Sequence, residues 1–263
     1  MVGRLEGHLR ARRDGGRKLL VPYVTGGVPG WQDAIRAAAA HGADAIEVGL
    51  PFSDPVMDGP IIQAASELAL RAGATPRGIL DEVRRLDIGV PLIVMCYFNT
   101  VHAMGLERFA GSLASAGVAA AIVPDLPLEE VGEWAGHADS HAVETVLLAA
   151  PTAPDERLPR IVARSRGFVY AVGLLGVTGE RSELSASATT IAERLKRVTD
   201  LPVLVGVGVS NAEQAREAVR VADGVIQGAS VVRRLMESGA DEVGRYVDEV
   251  RRAIDDPASS SLR

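Results

Sequence analysis

Residues 45–63 read AIEVGLPFSDPVMDGPIIQ. The first six, Ala45-Ile46-Glu47-Val48-Gly49-Leu50, have the composition of a buried strand with one acid set among apolar residues and glycine. A carboxylate there costs free energy unless it is paired or used, because burial disfavours its charged form. Pro51 ends the strand. The loop after it, Phe52 to Gly59, carries Asp54 and Asp58, and Pro60 suits the first position of a helix running through Gln63. Glu47 therefore has two readings, a buried ion pair with a distant base or a proton-transfer group. Its place near the end of a strand, below a loop carrying two more acids, favours the second.

Outward from this stretch the chain repeats one pattern, a short apolar run ended by Gly or Pro and then a segment of helical period. The runs are Leu19 to Thr25, Ala45 to Leu50, Pro91 to Phe98, Ala119 to Leu126, Glu144 to Ala150, Phe168 to Leu174, Pro202 to Val207 and Gly224 to Gln227. The helical segments begin near Trp31, Pro60, Leu106, Leu128, Leu158, Thr190, Ala212 and Val231, with a closing helix from Asp241. Ser210 and Glu213 have capping-box spacing ahead of the helix at Ala212. The runs are continuous rather than alternating, as strands buried on both faces require. A doubly wound sheet is the competing solution, but Gly26-Gly27-Val28-Pro29-Gly30 lacks its G-x-G-x-x-G turn. The expectation is an α/β fold, an eight-stranded (β/α)8 TIM barrel with an extra N-terminal helix and an extra helix, Arg77 to Leu86, after the second strand. One domain over residues 1–256 and a disordered tail at 257–263 complete it.

The 263 residues suit one such barrel, of roughly 250 residues. No apolar run is long enough to span a membrane, and the N-terminus has no apolar signal core. The lone Cys96 excludes an internal disulfide and a cysteine metal cluster. A net charge of −6 with no basic stripe argues against nucleic acid. A cytoplasmic enzyme is the expectation.

Barrel chemistry sits at the C-terminal ends of the strands. Those ends supply Tyr23, Thr25, Glu47, Tyr97, Asn99, Asp125 and Tyr170. Three tyrosines around one carboxylate suit a flat heteroaromatic ligand, or else pack at the rim with their hydroxyls in water. Asp125 either orients a neighbour or caps its turn. The histidines fall on helices or their edges, and no metal-ligand spacing is read among them. Gly206-Val207-Gly208, Gly228-Ala229 and Gly176 to Gly179 concentrate small residues in the quarter where barrels commonly hold a phosphate. Lys18 and Lys196 are the only lysines and neither lies in a strand, so Schiff-base chemistry is not expected and acid–base cleavage or isomerisation remains.

Glu47-Val48-Gly49-Leu50-Pro51-Phe52-Ser53-Asp54-Pro55 with Asp58-Gly59-Pro60 resembles the signature of the tryptophan synthase alpha subunit family. The resemblance continues through Pro22-Tyr23-Val24-Thr25, Tyr97-Phe98-Asn99, Asp125-Leu126-Pro127, Gly176-Val177-Thr178-Gly179 and Gly206-Val207-Gly208-Val209-Ser210. It implies retro-aldol cleavage of indole-3-glycerol phosphate to indole and glyceraldehyde 3-phosphate. Glu47 would be the acid–base and Asp58 the partner of the indole N–H. Tyr23, Met95, Tyr97, Leu148 and Thr178 would line the indole pocket, Tyr170 would position Glu47 or substrate, and Asp125 would support the site. Gly179, Gly208, Gly228 and Ala229 would give amides to phosphate. No cofactor or metal is implied for this chain. Pyridoxal phosphate would belong to a beta subunit, joined to it in an alpha2-beta2 heterotetramer. The chain departs from the family pattern at Val28, Met57, Gly173 and Ala229, the first two in or near loops coupled to the partner. A free-standing lyase feeding indole elsewhere is thus an alternative. A non-catalytic activator of a beta subunit is another, against which Glu47 and Asp58 both stand.

Overall fold

The computed structural model describes residues 2–173 and 186–256. It opens with helix α1 (Arg4–Asp14) and then alternates strands with helices: β1 (Leu19–Thr25), α2 (Trp31–Ala40), β2 (Ile46–Gly49), α3 (Pro60–Arg71), α4 (Pro76–Val83) and β3 (Leu92–Met95). The middle holds α5 (Phe98–Met104), α6 (Leu106–Ser115), β4 (Ala120–Ile122), α7 (Val131–Ser140), β5 (Glu144–Ala149), a 3-10 turn at Asp155–Arg157, α8 (Leu158–Arg164) and β6 (Val169–Val172). The last part holds α9 (Ala186–Lys196), β7 (Val203–Gly206), α10 (Ala212–Ala218), β8 (Gly224–Gln227), α11 (Ala229–Ser238) and α12 (Ala240–Asp255). The strands form a closed barrel in chain order, every neighbouring pair parallel.

Strand parity decides what faces the barrel interior. Leu19 and Val21, Ala45, Ile93, Ala120 and Ile122, Val146, Phe168 and Tyr170, Leu204 and Ile226 form one inner cluster. The alternate residues pack outward against the helices in the larger core. Leu5 and Leu9 of α1 join the inner cluster, so the N-terminal helix plugs the bottom of the barrel. Gly3 offers that helix no side-chain cap. Instead the buried Glu144 carboxylate accepts from the amides of Leu5 at 2.6 Å and Glu6 at 2.9 Å. That satisfies two orphan donors with an anion at the positive end of the helix.

The barrel, the N-terminal helix and the extra helix after the second strand are as expected. Three local readings need correction. The third strand stops at Met95, short of the expected Phe98, and Phe98–Met104 forms a helix, α5, where a strand end and loop are expected. Its first amide, from Phe98, donates to Asp125 Oδ1 at 2.8 Å, a cap supplied from another loop. The cap of α10 lies one residue later than expected, because Asn211, not Ser210, accepts from the Gln214 amide at 2.9 Å. Finally, His137 and His141 stand four apart, on α7 and at its end, so a metal-ligand spacing is present after all. Both rings meet the Glu107 carboxylate, at 2.6 and 2.7 Å, and no metal-binding group is found among the described residues. No described helix is long and apolar enough to cross a membrane.

Candidate active site

At the C-terminal end of the barrel lies a cavity of about 270 Å³. Its lining follows the inward parity of the strands: Tyr23, Glu47, Met95, Leu148, Tyr170 and Ile226 come from six of them. Asp58 leans over the rim from the loop after β2, and Gly208, Gly228 and Ala229 close the opposite side. Thr178 and Gly179 lie outside the described residues.

Glu47 sits opposite Tyr23 in the β1–β2 register and is 1% exposed. Among the described residues its Oε2 has no hydrogen-bond partner and no base forms an ion pair with it. The buried ion pair, one of its two readings, is therefore absent among these residues. Burial first, and then the nearby charge of Asp58, push the carboxyl up from 4.5 to about 8. Asp58 is raised less, to about 6, because burial is opposed by a hydrogen bond from the Tyr97 hydroxyl. The two carboxyls of this cavity are thus set apart in proton affinity, with Glu47 holding its proton to higher pH than Asp58.

Tyr97 does not line the cavity; it fixes the loop that carries Asp58. Its ring stacks on Phe52 at 5.2 Å, and its oxygen accepts from the Met57 amide at 3.1 Å. Gln63 Nε2 ties the other side of the loop by donating to the Asp58 carbonyl at 2.8 Å. Asp125 also stays out of the cavity. Its carboxylate caps α5 at Phe98, the residue after Tyr97.

Tyr23 and Tyr170 flank Glu47, both with hydroxyls buried and held far from ionisation. Each needs a glycine on the next strand. A Cβ at Gly49 would stand 1.9 Å from the Tyr23 oxygen, and one at Gly206 would stand 2.2 Å from that of Tyr170. The cavity therefore has two phenol groups seated in two glycine notches beside one carboxyl.

The glycine-rich side has a backbone of unusual shape. Val207 has φ of 60° and Gly208 of 96°. A β-branched residue in the left-handed region is strained, and such strain gathers at functional sites. Across from this turn α11 begins at Ala229 after Gly228, with its first amides unused inside the helix. Val207, Val209 and Ser210, from the run marked in the sequence as small and glycine-rich, also line the cavity, and so do Ile62, Pro124 and Ala150, which were not singled out. Pro124 and Ala150 could have been read from parity.

The family described as tryptophan synthase alpha chain matches residues 9–256. A Streptomyces coelicolor tryptophan synthase alpha chain is 45% identical over 90% of this chain and 89% of that one. A Halorhodospira halophila tryptophan synthase alpha chain is 43% identical over 97% of each. The solved tryptophan synthase of Mycobacterium tuberculosis superposes with a TM-score of 0.90 at 39% identity, over 97% of this chain and 99% of that one. Fold, cavity and sequence agree, and the chain belongs to the tryptophan synthase alpha chain family.

Proposed function

We propose that this chain is a lyase that cleaves indole-3-glycerol phosphate to indole and glyceraldehyde 3-phosphate, with Glu47 as acid–base and Asp58 as the anion facing the indole N–H. The observation that carries this reading is the pair of buried carboxyls with separated proton affinities on one aromatic-lined cavity. Protonated Glu47 gives its proton to indole C3. The ring becomes a cationic iminium, and the Asp58 carboxylate stabilises the charge at its N–H. The bond from C3 to the glycerol carbon then breaks, and its electron pair returns to the ring to restore indole. The hydroxyl on the departing carbon becomes the aldehyde, and its proton passes to the Glu47 carboxylate. One proton leaves Glu47 and one returns, so the enzyme ends as it began. Phosphate is held by amides near Gly208, Gly228 and Ala229, opposite the acids, joined by Gly179.

The reading extends to location and partner: a cytoplasmic protein, one barrel domain over residues 1–256, working with a beta subunit in an alpha2-beta2 heterotetramer. No cofactor takes part in the alpha step, and pyridoxal phosphate belongs to the partner. The test is indole release by the purified chain with and without a beta subunit. Strong activation and a stable complex on size-exclusion chromatography are expected. Full activity alone with no complex would identify a free-standing lyase, and no release in either case from folded protein would end the catalytic reading.

A further inference from the structure

Three of the four tyrosines serve the acid side of the cavity; the fourth, Tyr246, lies on the closing helix α12 and is 2% exposed. Its hydroxyl donates to the Ser210 carbonyl at 3.1 Å. The Ser210 amide in turn donates to Oε1 of the buried Gln214, on α10, at 2.6 Å. Ser210 ends the glycine-rich turn after β7, so both of its backbone groups are tied to helices outside the barrel. This is the turn that holds Val207 and Gly208 in the left-handed region. A strained backbone persists only where its surroundings over-determine it, and Tyr246 and Gln214 supply that restraint. No hydrogen bond among the described residues uses the amides of Gly208 and Val209, which border the cavity.

Tyr246 also reaches the start of α11. Its ring lies under the Arg234 guanidinium, 3.7 Å from the ring centroid. Arg234 donates to the carbonyl of Ser230, in the first turn of α11, at 2.9 Å. One phenol therefore bridges the two segments that face each other across the cavity, the turn carrying Gly208 and the helix start carrying Gly228 and Ala229. Gln214, Arg234 and Tyr246 do not line the cavity themselves, so they act on it through the backbone. We propose that Tyr246, seconded by Gln214 and Arg234, is a positioning residue for the phosphate group of the substrate. It fixes the spacing between the turn and the helix start so that amides from both converge on one anion. This rests on the proposed function, which places the phosphate there. Pre-organised donors gain affinity by cutting the cost of ordering. Loosening them weakens the hold on the phosphate and leaves the apolar contacts of the indole ring as they were.

The test uses two non-cleavable probes, 3-(indol-3-yl)propyl phosphate and the alcohol that lacks its phosphate, with binding measured by calorimetry on the full chain. The ratio of the alcohol Kd to the phosphate Kd reports what the phosphate contributes, and wild type should favour the phosphate probe. Tyr246→Phe keeps the ring under Arg234 and deletes one hydrogen bond. It should lower the ratio roughly 3- to 10-fold, the range of one neutral hydrogen bond, with the alcohol Kd unmoved. Arg234→Met should lower the ratio as well. The double variant should lose less than the product of the two single losses, because both act on one bridge. Tyr246→Leu, which removes the ring too, should lower the ratio further, and Tyr246→Phe carries the test if the leucine variant does not fold. A general structural role would weaken both probes alike. Equal weakening, or a ratio in Tyr246→Phe within twofold of wild type, would overturn the proposal. A wild-type protein that binds both probes equally, or neither, would instead strike the phosphate site of the proposed function, and the positioning role with it.

Discussion

Replacing Glu47 by glutamine should damage activity and relieve the fold, and the second effect has a pH signature that follows from the structure. In the unfolded chain a glutamate titrates near 4.5, whereas in the folded cavity Glu47 is pushed up to about 8. The folded state therefore holds the proton longer. Stability falls as pH rises from the unfolded value toward the folded one, and levels off above it. Below about pH 4.5 both states are protonated and no penalty exists. At pH 7 the unfolded chain has released its proton and the folded one has not, a gap of about 2.5 pH units, or roughly 3 kcal/mol. Between pH 5.5 and 8.5 the penalty grows by about 3 kcal/mol.

The amide introduced by Glu47→Gln cannot titrate, so the stability difference between this variant and wild type should move by about that amount in favour of the variant across this range. Any constant cost of burying the amide cancels in the comparison. Asp58 largely cancels as well, because its shift is set by burial and Tyr97 and persists in both proteins. Urea unfolding followed by circular dichroism at three pH values measures the difference, and indole release at pH 7 should fall by about 10² to 10⁴. If the two proteins lose stability in parallel as pH rises, Glu47 is not held protonated by its site. The account of it as a ready acid then fails with the stability argument.

Other measurements bear on the same site. The kcat/KM profile should rise through an apparent value of about 6 and fall through about 8, as the pair passes through its singly ionised form. In Asp58→Asn the acid limb should vanish and the alkaline limb move down, because a like charge beside Glu47 is gone; an alkaline limb that stays put would contradict the coupling. Tyr97→Phe removes the hydrogen bond that holds Asp58 down, so the acid limb should move up, and an unchanged limb would remove Tyr97 from that role. Gly49→Ala forces Tyr23 out of its notch and should cost about 1 to 3 kcal/mol. Adding Tyr23→Ala should cost less than the sum of the two single changes, and strict additivity would mean the notch is not shared.

The barrel was legible because its signals are local and repeated. Most of the apolar runs end in Gly or Pro, and parity along each run then places Tyr23, Glu47, Met95, Leu148 and Tyr170 on the inner face without further information. Glu47 stood out for the same reason, as an acid where only apolar residues are expected. What escaped the sequence depends on contacts between distant segments. The α5 helix carries weak propensity of its own in Phe98-Asn99-Thr100-Val101, and its start is fixed by Asp125, 27 residues away. Tyr97, a strand-end residue in the sequence and a pocket wall by the resemblance, lies past the early end of β3 and meets Phe52 and Met57 instead.

The two departures from the family pattern that raised the question of partnership fall in different physical settings. Val28 is 1% exposed and joins the core around α2, so an acid there would be buried in this fold, and valine is the residue its surroundings favour. Met57 lines the cavity beside Asp58, where a flexible thioether suits an irregular wall. In this chain the first substitution is therefore accounted for by core packing and the second by the cavity wall. Neither setting requires contact with a partner. Val56, next to Met57 on the same loop, is 72% exposed and leaves an apolar side chain open to solvent there. In the proposed complex a beta subunit seated on this loop would act on Asp58 through the backbone that Tyr97 holds.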